Sequence, residues 1–194
     1  MASEKLIVLS DLWGAKRGLW ITSYLGYLQQ YFDIEYYDIQ QLAHIDTPMY
    51  SEKALHTAFV NGGIDTAVKH LLKRNIEPAH YLAFSTGGTI AWKANLKGLP
   101  MKSLYAVSAT RIRMESKMVN CDVDLLFGEK DLYKPNQNWA DTIGITPRIM
   151  KNFGHEMYSD EKIIQKVSLD LLNKVTKKQS KEKAKEILLK KRIS

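Results

Sequence analysis

The chain has 194 residues, 45% of them hydrophobic, which is enough to fill the core of one compact domain. Its net charge is +7, but nine basic residues against two acidic ones lie between Asn173 and Ser194 and account for all of it. The remainder is neutral, so the charge does not indicate a nucleic-acid-binding fold. We predict one domain over residues 1–175 and a Lys-rich tail over residues 176–194.

The tail is interpreted as a solvated extension, with binding of nucleic acid or of an anionic membrane as a minority hypothesis. The first residues, Met1–Leu9, contain no long apolar stretch after a lysine, and no run of about 18 apolar residues occurs. The lone cysteine, Cys121, excludes an intrachain disulfide, and we interpret it as buried and unreactive. The sequence therefore predicts a cytoplasmic protein. It does not predict an oligomeric state.

Strands and helices are predicted to alternate along the chain, from the spacing of apolar residues. In chain order they are strand Lys5–Leu9, helix Arg17–Phe32, strand Asp33–Ile39, a short helix capped by Ser51 and interrupted at Gly62–Gly63, helix Ile64–Asn75, strand Tyr81–Phe84, helix Thr86–Leu96, strand Leu104–Ser108, strand Asp122–Phe127, helix Asn136–Ile143, strand Pro147–Phe153 and helix Asp160–Val175. This alternation predicts a single-domain three-layer α/β/α sandwich, with a mostly parallel sheet of about six strands and helices on both faces.

The stretch Tyr81–Trp92 is the most informative part of the sequence. It reads Tyr-Leu-Ala-Phe-Ser-Thr-Gly-Gly-Thr-Ile-Ala-Trp and predicts a strand, a sharp turn with Ser85 at its apex, and a helix. Ala83 and Gly87 are small enough to leave room beside the Ser85 Cβ, and Gly88 lets the helix pack close to the strand. Such a turn exposes a hydroxyl at the carboxyl edge of a sheet, beside the first N–H groups of a helix. The alternative is an ordinary turn with a solvated serine.

This stretch resembles the nucleophile elbow of the α/β-hydrolases, Gly-x-Ser-x-Gly, with Ala83 in place of the first glycine. Two later strand ends, Phe127-Gly-Glu-Lys-Asp131 and Asn152-Phe-Gly-His155, resemble segments of the same family and complete its order of serine, aspartate and histidine. The resemblance covers roughly residues 5–175. It implies an α/β-hydrolase fold that lacks the N-terminal hairpin, and also the lid, for which the segment Ala109–Cys121 is too short.

The resemblance implies a catalytic role for three residues: Ser85 as the nucleophile, His155 as its base and Asp131 as the acid that orients the base. It also implies an oxyanion hole made by the backbone N–H groups of Leu12 and Thr86. The sequence departs from the family here, because Ser10-Asp11 stands where His-Gly is often found. Glu129 is kept as an alternative acid, while His44 and His56 are expected only to border the pocket. No metal and no cofactor are expected.

The implied activity is hydrolysis of a carboxylic ester or thioester through a Ser85 acyl-enzyme. Without a lid the site is expected to be open, and to accept a small molecule or an acyl group on a larger partner, with Gln40–Asn61 supplying part of the wall. Arg111 and Arg113 are candidates for binding a substrate carboxylate or phosphate, or else are solvated loop charges. Trp13 either lines the acyl pocket or packs in the core. Acyl transfer with the same residues, and a catalytically silent binding or scaffold protein, are left open.

Overall fold

The computed structural model describes residues 3–46 and 50–176. Six strands form one sheet in the order β2-β1-β3-β4-β5-β6, and every neighbouring pair is parallel. The strands are β1 Glu4–Leu9, β2 Phe32–Tyr37, β3 Ala79–Phe84, β4 Met101–Val107, β5 Asp122–Gly128 and β6 Arg148–Met150. The predicted parallel sheet is therefore confirmed. All six strands end at one edge of the sheet, where the loops carry the candidate site.

Helices cover both faces of the sheet, as the alternating pattern predicts. They are α1 Ile21–Leu28, α2 Ile39–Leu42, α3 Glu52–Ala58, α4 Ile64–Arg74, α5 Thr86–Leu96, α6 Gln137–Ile143 and α7 over residues 161–176. One core cluster contains residues of α2 to α6, and a second contains residues of α1 and α7. None of the helices in the described ranges is long and apolar enough to cross a membrane.

The central strand β3 is buried along its whole length because it supplies side chains to both clusters. Tyr81 and Ala83 belong to the cluster under α2 to α6, whereas Leu82 and Phe84 belong to the cluster under α1 and α7. This two-residue alternation is the expected geometry of a strand with helices on each side. The continuous apolar run before Ser85 therefore reflects burial on two faces.

Two elements are shorter than the sequence predicts. The first helix begins at Ile21 instead of Arg17, because a 3-10 turn at Gly14–Arg17 and a second turn precede it, and Leu19 is consequently 84% exposed. The sixth strand spans only Arg148–Met150, since it pairs with just the last three residues of β5 at the edge of the sheet.

The segment between α3 and α4 follows the prediction. Ser51 caps α3 as expected, its hydroxyl accepting a hydrogen bond from the Ala54 N–H. The predicted interruption at the glycine pair is confirmed as well, because Asn61 and Gly62 have non-helical dihedral angles and Gly62 has φ 121°. Of the predicted tail, residues 177–194 lie outside the described residues, and residue 176 belongs to α7.

A pair of glycine substitutions tests the close packing of α5 on the sheet. A Cβ at Gly88 would lie 2.7 Å from the Ala109 Cβ, whereas a Cβ at the exposed Gly26 in α1 would contact nothing within 4 Å. We expect Gly88→Ala to lower the free energy of unfolding by about 1–3 kcal/mol through overpacking. Gly26→Ala should instead raise it by about 0.5–1 kcal/mol, since alanine favours the helix. Urea unfolding measures both, and equal effects would contradict the packing described.

Candidate active site

Ser85 occupies a sharp turn between β3 and α5 and has a left-handed backbone conformation, with φ 48° and ψ −120°. Three backbone hydrogen bonds hold it there. Its N–H donates to the Val107 carbonyl at 3.0 Å, and its carbonyl accepts from the N–H groups of Gly88 and Thr110 at 3.0 and 3.1 Å. A residue kept in a costly conformation by its surroundings is typical of functional sites.

The two glycines after Ser85 are needed for contacts with neighbouring strands. A Cβ at Gly87 would collide with the backbone carbonyl of Ser10, in the loop after β1, and one at Gly88 would collide with Ala109, after β4. The prediction that Gly88 lets the helix pack close to a strand is supported, although the strand that it contacts is β4, through Ala106. That Gly87 leaves room beside the Ser85 Cβ stays a prediction. The two glycines bring the first turn of α5 against the ends of the two strands that flank β3.

The side chains of Ser85, His155 and Asp131 form a hydrogen-bonded chain across three loops. The Ser85 Oγ lies 3.0 Å from His155 Nε2, and His155 Nδ1 lies 3.0 Å from Asp131 Oδ2. Ser85 and Asp131 are completely buried, while the His155 side chain is 21% exposed. When Nδ1 carries the proton, it donates to the Asp131 carboxylate and Nε2 can accept the Ser85 hydroxyl, which is the arrangement that activates a serine hydroxyl.

The loop after β5 fixes the orientation of Asp131. The Asp131 N–H donates to the Gly128 carbonyl at 3.1 Å, and its Oδ1 accepts from the Tyr133 N–H at 2.8 Å, which leaves Oδ2 for His155. The alternative acid, Glu129, is exposed and accepts the Asn152 N–H at 3.0 Å, so it holds the backbone of the histidine loop and makes no hydrogen bond to the imidazole.

Thr110 was not predicted from the sequence, yet it touches both reactive side chains. Its Oγ1 lies 2.8 Å from Ser85 Oγ and 3.3 Å from His155 Nε2, and the residue is buried. The Thr89 hydroxyl donates to the Thr110 carbonyl and fixes this residue against α5. When the Ser85 hydroxyl donates to His155, the Thr110 hydroxyl can donate to Ser85 Oγ and hold it in position.

The backbone N–H groups of Leu12 and Thr86 belong to two segments that are in contact, the loop after β1 and the first turn of α5. Thr86 is the first residue of α5, so its N–H has no acceptor within the helix. The Leu12 N–H has no acceptor among the described residues either. The Ser10 carbonyl packs against Gly87, which brings the loop after β1 beside the first turn of α5. Both N–H groups are thus available to a bound ligand at this edge of the sheet.

Side chains stabilise the loop after β1 although it lacks the usual His-Gly. The Ser10 hydroxyl accepts the Ile39 N–H and donates to the Asp11 carbonyl, both at 3.0 Å. Gln40, in α2, donates from Nε2 to the Leu12 carbonyl at 2.7 Å. The segment that contains Leu12 is therefore fixed from both sides before any ligand binds.

Asp11 connects this loop to the histidine loop. Its Oδ1 accepts the Trp13 N–H at 3.0 Å, and its Oδ2 accepts the Tyr158 hydroxyl at 3.2 Å. The Tyr158 ring in turn packs edge-on against the His155 ring, with 6.0 Å between centroids. Burial raises the pKa of the Asp11 carboxyl to about 6, in spite of the two hydrogen bonds that favour the carboxylate.

Two cavities border the hydrogen-bonded chain, and they divide the residues predicted to contact substrate. The larger, of about 430 Å³, contains Arg111 and Arg113, and is lined by Glu52, Lys53, His56, Thr110, Arg111, Arg113 and Tyr133. The smaller, of about 180 Å³, contains Trp13, and is lined by Asp11, Trp13, Arg17, Trp20, Glu156, Tyr158 and Ser159. Trp13 thus does not share a pocket with the two arginines. It also packs against the core, and its ring lies 4.0 Å from the Arg17 guanidinium carbon.

The other histidines and the cysteine do not take part in the hydrogen bonds that connect Ser85, His155 and Asp131. His56 lines the larger cavity, as predicted, but the His44 ring packs on His70 with 4.4 Å between centroids. His80 is buried and bonds to Ser103 at 2.7 Å. Burial raises the pKa of Cys121 to about 11, which disfavours its thiolate. Within the described ranges, no group of three or more metal-binding side chains is close enough together to hold a metal ion.

Solved structures with the same architecture come from several hydrolases. A carboxylesterase from Nitrososphaera gargenis has a TM-score of 0.63 and 14% identity, covering 91% of this chain and 92% of its own. The chain has the α/β-hydrolase fold. A predicted CIB-like hydrolase from Thermoplasma acidophilum has a TM-score of 0.63 and 19% identity, covering 89% of this chain and 88% of its own. A carboxylesterase from Bacillus subtilis has a TM-score of 0.59 and 14% identity, covering 88% of this chain and 83% of its own. No protein-family model matches this α/β-hydrolase-fold chain, and no curated protein sequence matches it.

The buried Asp11 carboxyl predicts a pH-dependent loss of stability. Because its pKa is about 6 in the folded protein and about 4 when unfolded, the folded state holds a proton that the unfolded state has released between these pH values. The contribution of Asp11 to stability therefore falls as pH rises from about 4 to above 6, by about 2–3 kcal/mol. Asp11→Asn keeps an acceptor for Trp13, and should melt higher than the wild type at pH 8 and equally at pH 4.

Melting curves of both proteins from pH 4 to pH 8 check this prediction. The difference in Tm between them isolates Asp11 from the other carboxyl groups, which both proteins share. A difference that stays constant over the whole pH range would mean that Asp11 titrates normally in the folded protein.

Proposed function

We propose that this protein is a serine hydrolase that cleaves a carboxylic ester or thioester through an acyl-enzyme on Ser85. The observation that carries the proposal is the hydrogen-bonded chain from the strained, buried Ser85 through His155 to Asp131. The fold of the protein is similar to that of two solved carboxylesterases, which supports hydrolysis of esters as the general reaction.

In the acylation step, Ser85 Oγ attacks the carbonyl carbon of the substrate while its proton passes to His155 Nε2. Asp131 accepts the Nδ1–H and stabilises the imidazolium that forms. The carbonyl oxygen becomes an oxyanion, which the N–H groups of Leu12 and Thr86 stabilise, each by on the order of 3 kcal/mol. As the tetrahedral intermediate collapses, the bond to the leaving group breaks and His155 returns the proton to the departing alcohol or thiol.

Deacylation repeats these steps with water in place of Ser85. His155 removes a proton from the water molecule, whose oxygen attacks the acyl carbon, and then returns the proton to Ser85 Oγ. The products are a carboxylic acid and the free serine. The His155 side chain is 21% exposed, so water can reach it. Thr110 acts in both steps as a positioning residue, because its hydroxyl holds Ser85 Oγ beside Nε2.

The steady-state rate of p-nitrophenyl butyrate hydrolysis tests the assignment of roles. We expect Ser85→Ala and His155→Ala each to lower kcat by roughly a thousandfold or more, since either change removes the activated nucleophile. Asp131→Asn should lower kcat by roughly a hundredfold or more while keeping the shape of the side chain.

Glu129→Gln is the matched control for Asp131→Asn, because both are acid-to-amide changes in one loop. Glutamine can still accept the Asn152 N–H, so we expect its kcat to stay within about threefold of the wild type. A large loss in Glu129→Gln together with a small loss in Asp131→Asn would assign the acid to Glu129. Full activity of Ser85→Ala would exclude the acyl-enzyme on Ser85.

A further inference from the structure

The larger cavity is lined by two residues that contact the proposed catalytic side chains. Thr110 contributes to its wall, and the hydroxyl of the same residue lies 2.8 Å from Ser85 Oγ. Tyr133 lines the cavity as well, and its ring packs edge-on against His155 with 5.1 Å between centroids. With a volume of about 430 Å³ the cavity is large enough for a small molecule. A substrate whose carbonyl carbon contacts Ser85 can therefore extend into it.

The charges around this cavity are mostly positive. Arg111, Arg113 and Lys53 contribute three cations, and Glu52 contributes the only carboxylate among the lining residues. Glu115, the acid nearest in sequence to the two arginines, is paired with Lys93 at 2.9 Å. Residues 1–172 are neutral as a whole, so this local excess does not follow from a general surplus of basic residues.

Arg111 follows Thr110 directly and has a left-handed backbone conformation, with φ 70°. This conformation is costly for a residue with a side chain. It turns the chain so that the next residue, Ile112, is buried in the core while Arg111 lines the cavity. The Arg111 guanidinium makes no hydrogen bond or ion pair with the described residues, so its donors are available to a ligand.

Arg113 is held at the cavity by Tyr133. One nitrogen, Nη1, donates to the Tyr133 carbonyl at 3.1 Å, and the guanidinium carbon lies 5.6 Å from the centre of the Tyr133 ring. These contacts restrain the side chain and leave further N–H donors unused. A restrained guanidinium beside a second one is suited to binding the oxygens of a carboxylate or phosphate.

We infer that Arg111 and Arg113 form an anion-binding subsite, and that the substrate is an ester or thioester bearing a carboxylate or phosphate that this subsite binds. The inference rests on the proposed function, since it places the anion on a molecule whose carbonyl carbon is attacked by Ser85. The position of both arginines on the wall of one cavity, with Thr110 in the same wall and Arg113 restrained by Tyr133, favours a subsite over the alternative reading of solvated loop charges.

A matched pair of esters tests this inference: p-nitrophenyl butyrate, which is neutral, and mono-p-nitrophenyl succinate, which carries a carboxylate on an acyl chain of the same carbon count. At constant ionic strength, we expect the wild type to prefer the succinate by roughly tenfold or more in kcat/KM, the effect of one good charged hydrogen-bonding site. Inhibition of p-nitrophenyl butyrate hydrolysis by inorganic phosphate and by free succinate then compares how tightly the subsite binds a phosphate and a carboxylate.

Arg111→Gln and Arg113→Gln should each lower the succinate-to-butyrate ratio roughly tenfold, because glutamine keeps a polar side chain without the charge. The control is Arg74→Gln, which removes one arginine charge from the exposed end of α4, near the start of β3 and away from the cavity. We expect this variant to keep the wild-type ratio. Circular dichroism confirms that each variant is folded.

Three results would overturn the inference in distinguishable ways. A wild-type ratio near one, with butyrate still hydrolysed in a Ser85-dependent manner, would refute the subsite and leave the proposed hydrolase intact. No Ser85-dependent hydrolysis of either ester would refute the proposed function, and the inference with it. An equal fall of the ratio in Arg74→Gln would show that net charge, and not the subsite, sets the preference.

Discussion

The backbone conformation of Ser85 is the constraint on which the site depends. Its positive φ turns β3 into α5 within one residue, and this geometry survives because three backbone hydrogen bonds from β4, α5 and the Thr110 loop hold it. The same turn aims the serine hydroxyl at His155 and leaves the Thr86 N–H unpaired at the helix start. The conformational cost at Ser85 is offset by burial of β3 on both faces of the sheet.

Buried polar side chains around this turn form hydrogen bonds that fix the positions of the neighbouring loops. The loop after β1 is fixed by Ser10 and Gln40, and Asp11 ties it to the histidine loop through Tyr158. A carboxyl so deeply buried is destabilising when ionised, as its raised pKa indicates. The ionised Asp11 carboxylate therefore lowers the stability of the fold at neutral pH, while its hydrogen bonds connect the two loops that flank Ser85.

The spacing of apolar residues predicts the sheet, and the resemblance of three strand ends to α/β-hydrolase segments predicts the residues of the hydrogen-bonded chain. Neither predicts Thr110. Strand pairing aligns Phe84 with Val107, but Thr110 lies in the loop after β4, where Ser108 has a positive φ value that no glycine in the sequence indicates. The cavity assignment of Trp13 likewise depends on loop packing, which spacing along the chain does not encode.

The most direct test of the central claim is intact-mass analysis after treatment with a fluorophosphonate probe, which reacts with an activated serine whatever its substrate. A nucleophile activated by His155 should form one adduct, located on Ser85, that is absent in Ser85→Ala and forms far more slowly in His155→Ala. A folded wild-type protein that forms no adduct, or that forms one on another serine, would show that Ser85 is not an activated nucleophile.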